Sequence, residues 1–536
     1  MSEWNKLRTF HGSQQNAFEE LCCQLARAEA MPSGAHFVRK GTPDAGVECY
    51  WILAGGDEAG WQAKFFLEVP GKSQWMQLRE SFSTALAKHP RLVRYCVCLP
   101  QNRADPRVPG RFSFADRWEK FVSWCRDEAQ AAGRTVEVDY WGDSEIFERL
   151  ARPANRGRLL FWFDAERFTE TWFRQRLDEA VANAGDRYSP ELNIDLPIGR
   201  ILDGLGRTER FWRRFTARVL KVRNRWADHF NDSKLPGFTD AFAELLEAIN
   251  RIEATPDAVL DFPSLSEKIQ QLRERVGTGW TEVRRLDELD VQQGEEKRPH
   301  FRSSDNLRWG LRQVDEAIGA LESFVSGSEA QAADNRAILV TGRAGAGKTH
   351  LFCDAARHRL KDGKPSILML GELVQRGEPW MQVIRNLGLT MGRDDFLGVL
   401  DAAAETAGVR LIIFMDALNE GDGLHVWSTQ LAGFLEAVKP FPSLVLALSV
   451  RDLYEERVIP PQLDAAVLMR VPHQGFEEKT EEATRRFFQH FKISLPDYPV
   501  LNPEFGTPLF LKLFCTALRN RGITEVPKGL GGITAI

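Results

Sequence analysis

One segment constrains this chain more than any other: Gly342-Arg-Ala-Gly-Ala-Gly-Lys348-Thr349, which comes one residue after the apolar run Ala337–Val340. A G-x-x-x-x-G-K-T pattern placed where a strand should run into a helix is a phosphate loop. Gly342, Gly345 and Gly347 let backbone N–H groups close around phosphate oxygens. Lys348 brings charge to the β- and γ-phosphates, and Thr349 offers a hydroxyl to Mg²⁺. The helix that starts there adds the positive end of its dipole. The segment therefore calls for a sheet that delivers a strand to the foot of a helix, and it predicts ATP and Mg²⁺ as ligands. It is silent on what the nucleotide controls.

At 536 residues the chain has room for roughly three or four domains. Its composition, 43% apolar and 27% charged, is that of a soluble globular protein. The net charge of −5 provides no global field for nucleic acid, so any DNA contact must come from a local patch. The eight cysteines, among them the adjacent Cys22 and Cys23, show no C-x-x-C zinc spacing. They read as buried thiols of a reducing compartment. The N-terminus Met1-Ser-Glu-Trp-Asn-Lys6 lacks the apolar core of a signal peptide, and no apolar run is long enough for a bilayer. A cytoplasmic protein with no membrane partner is expected.

Periodicity divides the chain. Up to about residue 155, helix and strand patterns alternate. Helices are predicted over Gln14–Arg27, Ser73–Lys88 and Phe114–Ala132, with strands over Val93–Leu99 and Val136–Tyr140. Val47–Leu53 and Trp61–Leu67 flank a turn-prone stretch and read as a hairpin. From about 165 to 330 strand signals fade. Phe211, Phe215, Val219, Val222 and Trp226 mark one helical face, and Phe238–Ala254, Leu265–Val276 and Asn306–Val325 continue the helical character. The polar, Pro-interrupted Val291–Ser304 reads as a linker. Strands return at Ala337–Thr341, Ser366–Leu370, Leu411–Met415, Leu444–Ser449 and Ala466–Val471, their apolar runs suiting a parallel sheet covered on both faces. After Phe476 the chain is helical again.

Further residues gather around the phosphate loop. Leu411-Ile-Ile-Phe-Met-Asp416 is an apolar strand ending in a carboxylate, and in phosphate-loop proteins such an aspartate holds the Mg²⁺ shell from the strand beside the loop. In the continuation Ala417-Leu-Asn419-Glu420, either Glu420 or Asn419 could orient an attacking water. Arg451 ends the next strand, where it could sense a γ-phosphate; an ordinary strand-end arginine is the plainer reading. Thr507-Pro508 opens a helix downstream, and a proline in a first helical turn also has a purely structural reading. His350 reads as structural. The stretch Arg207–Arg225 holds eight Lys/Arg against Glu209 alone; it could lie along a phosphate backbone, although a solvated helix face is the commoner explanation.

The N-terminal hairpin carries a second constellation. Asp44 and Glu48 place carboxylates near the start of one strand, while Gln62 and Lys64, two apart, share a face of the next. Metal-dependent phosphodiester hydrolysis needs this set: carboxylates for Mg²⁺, and a lysine to position the nucleophile or neutralise phosphate. Glu19 on the first helix could add a carboxylate. Charged residues on an exposed hairpin face are the plainer alternative, and which of Asp44 and Glu48 is the main ligand stays open.

Gly342–Thr349, Asp416–Glu420, Ser449-Val-Arg451 and Gly506-Thr-Pro508 together resemble the STAND class of signal-transduction NTPases, near its NACHT branch, over about 335–536. The helix-borne Glu19, Asp44-Ala-Gly-Val-Glu48 and Gln62-Ala-Lys64 resemble the Mrr-like branch of the PD-(D/E)xK nucleases over about 10–155, with Gln62 in place of the usual acid. The combination looks like the antiviral AVAST (Avs) family, and Arg187–Asn193 to Leu205-Gly206 is similar to the connector of that family.

The resemblance implies a multidomain α/β chain: a restriction-endonuclease-like domain over 1–160, a helical connector over 161–330, a P-loop NTPase core with a parallel sheet over 331–478, and the start of a helical domain over 479–536. It implies that ATP binding drives homo-oligomerisation, to a tetramer, and so activates cleavage of double-stranded DNA. It also implies that a C-terminal sensor, absent from this sequence, reads a phage protein, so that a truncated chain is expected. Asn419 stands where many relatives carry a second acid, which implies slow hydrolysis; Pro508 and Arg451 would contact nucleotide. The competing reading is a nucleotide-dependent scaffold whose N-terminal domain binds without cutting. A DNA-translocating motor fits less well, since one phosphate loop stands without a helicase motif series.

Overall fold

Short aromatic-rich strands near the N-terminus, and continuous apolar runs after residue 336, produce two different sheets in the computed structural model. It describes residues 3–41, 45–105, 113–164, 166–230, 237–252, 254–292, 304–495 and 503–526. The chain divides into two compact units, Met1–Trp172 with Met391–Thr406, and Phe173–Thr390 with Ala407–Ile536.

In the first unit, α1 (Gln14–Arg27) starts at Ser13, whose hydroxyl accepts from the Asn16 N–H. Strands β1 (His36–Arg39), β2 (Cys49–Ile52) and β3 (Glu58–Ala63) follow, then α2 (Lys72–Lys88), β4 (Leu92–Cys98), α3 (Phe114–Ala131) and β5 (Glu137–Trp141). The sheet order is β1-β2-β3-β4-β5, with antiparallel pairing up to β3 and parallel pairing beyond it. The hairpin expected at 47–67 is β2 and β3, with β3 entering three residues earlier than Trp61. β1 has no counterpart in the periodicity, because none of its four residues is fully buried and no alternation develops.

Two more helices, α4 (Asp143–Ala151) and α5 (Arg156–Phe163), close this unit together with the helix Arg393–Thr406. Gly157 meets Gly398 there, and a Cβ on Gly157 would strike the Gly398 backbone. Arg158 donates Nε and Nη2 to Glu405 Oε2 at 3.0 and 2.8 Å, and Gln24 Nε2 reaches Thr406 Oγ1 at 2.9 Å. All eight cysteines of the chain are free and buried.

The second unit begins with helices α6 (Glu170–Ala184), α7 (Ile198–Leu205), α8 (Glu209–Phe230), α9 (Phe238–Asn250), α10 (Phe262–Gln292), α11 (Asp305–Val325) and α12 (Ser328–Asp334). The expected apolar face of α8 is buried, and Trp226 stacks on Phe242 at 4.0 Å between centroids. The basic residues of that stretch are largely occupied. Arg207 is buried and donates to the carbonyls of Thr255, Pro256, Ala258 and Ala333; Arg214 pairs with Asp203 and Glu329; Arg213 pairs with Glu209. Most of Val291–Ser304 lies outside the described residues.

Then come β6 (Ala337–Gly342), α13 (Lys348–Lys361), β7 (Ser366–Leu370), α14 (Pro379–Asn386), α15 (the Arg393–Thr406 helix described above), β8 (Leu411–Asp416), α16 (Gly423–Glu436), β9 (Leu444–Arg451), α17 (Glu455–Val458) and β10 (Met469–Pro472). The sheet is wholly parallel, in the order β10-β6-β9-β8-β7. This corrects one expectation. The Asp416 strand is not beside the loop strand, because β9 pairs with both and separates them. α18 (Thr480–Phe491) and α19 (Pro508–Asn520) complete the described chain, packed on Leu192 and Ile194 of the segment after α6. No helix among the described residues is long and apolar enough to cross a membrane.

Candidate functional site

β6 ends at Gly342 and α13 begins at Lys348, so the loop between them sits at the carboxyl edge of the parallel sheet, where open α/β sheets bind ligands. Gly345 and Gly347 hold φ of +79° and +102°, left-handed values that only glycine adopts without strain. Lys348 is folded onto its own loop, its Nζ donating to the carbonyls of Gly342 at 2.5 Å and Arg343 at 3.0 Å. Burial pulls the Lys348 pKa below its ordinary value.

Strands lie about 5 Å apart, so two strand spacings separate β6 from β8. α13, leaving the loop, spans that gap. Thr349 Oγ1 donates to Asp416 Oδ2 at 2.7 Å. The other Asp416 oxygen accepts from Ser449 Oγ at 2.6 Å, and Ser449 Oγ accepts from the Ala417 N–H at 2.7 Å. Ala417 sits at φ +51°, an uncommon conformation for a residue with a Cβ, and this turns the chain sharply off β8. Asp416 is 1% exposed and Ser449 fully buried. Thr349 and Asp416 offer hard oxygen donors side by side, which suits Mg²⁺ completed by phosphate oxygens and water.

Beyond Asp416, Asn419 Oδ1 accepts from the Arg451 backbone N–H at 3.0 Å, so this side chain fixes the end of β9. Glu420 is held by two guanidiniums, Arg451 at 2.9 Å and Arg187 at 3.3 Å. Arg187 also reaches Glu372 at 3.0 Å. Arg187, Asn419, Glu420 and Arg451 line a cavity of about 320 Å³ together with the phosphate loop, Leu192, Asn193, His473, Pro508 and Leu509. A Cβ on Gly347 would stand 3.4 Å from Pro508 Cγ, and Leu509 N–H donates to Gly345 O at 3.2 Å. His350 is engaged by Asn193 Oδ1 at 3.2 Å and by the Tyr188 ring.

Sequence reasoning passed over Ser449 as a partner of Asp416, Arg187 as a partner of Glu420, and His473. A serine on an apolar strand and a histidine after one carry no spacing signal. Their places follow from strand order alone.

In the first unit, Glu48 and Gln62 meet across the β2–β3 pairing. Gln62 is fully buried and donates Nε2 to Glu48 Oε1 at 2.7 Å. Lys64, just past the end of β3, brings Nζ to 3.8 Å from the same oxygen, while its backbone N–H continues the ladder to Cys98 O at 3.0 Å. Asp44 lies outside the described residues. Glu19 is half-buried and accepts from Gln15 at 3.1 Å. Its neighbour Glu20 is the acid that α1 turns inward: it pairs with Arg39 at 2.6 Å and accepts from Gln24 at 2.8 Å, and burial raises its pKa. Among the described residues, no three His, Cys, Asp or Glu side chains are grouped to hold a metal ion.

No family model matches the chain. No curated protein matches it either. Among solved structures it is similar to the Walker-type ATPase PABY2304 of Pyrococcus abyssi, at 17% identity and a TM-score of 0.27, over 35% of this chain and 64% of that one. The chain thus spans less than two thirds of that protein's length.

Proposed function

We propose that the chain is a nucleotide-gated nuclease of antiviral defence. ATP with Mg²⁺ binds at the phosphate loop, drives assembly of several copies, and releases an N-terminal Mg²⁺-dependent activity on double-stranded DNA. The observation that carries the nucleotide half is the run Thr349–Asp416–Ser449, a hydroxyl and a buried carboxylate held together at the foot of the loop. The pairing of Glu420 with both Arg187 and Arg451 supports a latch over a motor: the acid that would orient water is neutralised, and both arginines lie where a γ-phosphate would compete for them. The approach of Gln62 and Lys64 to the same oxygen of Glu48 supports the nuclease half.

The test is a paired assay. Lys348→Ala should abolish measurable ATP binding by calorimetry. Lys64→Ala should leave ATP binding intact and remove plasmid cleavage in Mg²⁺. Cleavage at the parental rate by Lys64→Ala would sink the nuclease and favour the scaffold reading, in which the first unit binds its partner without cutting.

A further inference from the structure

We propose that His473 is a phosphate-binding residue of the nucleotide site, its Nε2–H donating to the phosphate seated at Gly347 and Lys348. This inference rests on the reading of Gly342–Thr349 as an occupied phosphate loop.

His473 follows β10, the edge strand that pairs with the loop strand β6. Its backbone is pinned at both ends of the contact. The His473 N–H donates to Thr341 O at 2.7 Å, and its carbonyl oxygen packs against Gly342 where any Cβ would collide. That anchoring sends the imidazole across the mouth of the loop. A Cβ placed on Gly347 would stand 3.5 Å from His473 Nε2, and the ring borders the same cavity as Lys348 and Thr349.

The residue is 3% exposed, and no protein hydrogen bond to either ring nitrogen is present among the described residues. A buried polar group normally has a partner. The other histidine at the loop, His350, has one in Asn193. His473 Nε2 lies instead beside Gly347, at the border of the cavity that the phosphate loop lines. Burial, then the nearby Lys348 charge, holds its pKa down to about 4, so the ring stands neutral. A neutral imidazole keeps one N–H to donate, and it adds a donor without adding a buried charge to the loop.

A purely structural histidine would be indifferent to phosphate, and this separates the two roles. In the 536-residue chain, calorimetry at neutral pH should find ADP and Mg-ATP binding weakened about tenfold or more in His473→Ala, the range for one hydrogen bond to a charged group. His473→Gln, whose amide can still donate, should recover most of that loss. Binding by His473→Ala within about twofold of the parent, or a loss that Gln does not rescue, overturns the proposal. Should the alanine variant fail to fold, ¹⁵N-histidine-labelled parent protein decides. The His473 Nε2 resonance shifts on adding ADP if the proposal holds, and an unmoved resonance overturns it. If the parent binds neither ADP nor ATP, the reading of the phosphate loop falls and His473 with it. If the parent binds and only His473 is indifferent, that reading stands without this residue.

Discussion

At the scale of single residues, the centre of the candidate site is a run of polar groups, Thr349, Asp416 and Ser449, that satisfy one another in an apolar sheet. Ser449 Oγ both donates to Asp416 and accepts from Ala417 N–H, in a place without solvent. Ser449→Ala removes both partners at once. It should destabilise the chain by about 1–3 kcal/mol, the cost of a buried polar group left unpaired, as read by urea denaturation. It should also weaken Mg-ATP binding, because Asp416 loses the contact that orients it. Unchanged stability and affinity would mean that water replaces the hydroxyl. The phosphate-loop residues were legible because glycine, lysine and threonine at fixed spacing have one economical physical explanation. Gln62 and Lys64 were legible as residues sharing a sheet face, since strand side chains repeat every second position, and Glu48 as a carboxylate near the start of the neighbouring strand. Ser449 and His473 were not, because their chemistry depends on which strand lies next to which.

At the scale of elements, apolar periodicity located most helices and strands to within a few residues. α1 runs over Gln14–Arg27 and β7 over Ser366–Leu370, as read from the sequence. It fell short on α10, which runs Phe262–Gln292 where the apolar signal covers only Leu265–Val276. Charged helix formers beyond Val276 extend the helix, and among the described residues only Trp280 and Val283 there pack on the core, too few to continue an apolar periodicity. The crossing of α5 with α15 is decided by two glycines. With no Cβ on Gly157, the backbones approach to contact, and Arg158–Glu405 closes the pair. Gly157→Ala should therefore cost stability, although alanine is the better helix former by about 1 kcal/mol. A net loss of about 1–3 kcal/mol is expected from overpacking against backbone that cannot yield. Stabilisation in a denaturant series would show that the helices can separate at no cost.

At the scale of the whole molecule, three stretches far apart in sequence build one cavity: Asp186–Leu196 after α6, the phosphate loop, and the start of α19 at Pro508. Mg-ADP at about a hundred times its Kd stabilises what it touches by about 2.7 kcal/mol. Hydrogen exchange should therefore slow in peptides from all three stretches together, and in none of them in Lys348→Ala. Protection confined to the loop would mean that the outer two are bystanders. By itself the sequence determined the local terms: a phosphate loop between strand and helix, apolar runs fit for a buried parallel sheet, and a carboxylate–glutamine–lysine set on a hairpin. These rest on neighbours along the chain, where backbone geometry fixes what a spacing means. Only the tertiary structure decided that β9 stands between β6 and β8, that α15 joins the N-terminal unit, and that Arg187 reaches Glu420. Those choices depend on which apolar faces bury one another, and burial is non-directional, so periodicity marks the faces but not their partners.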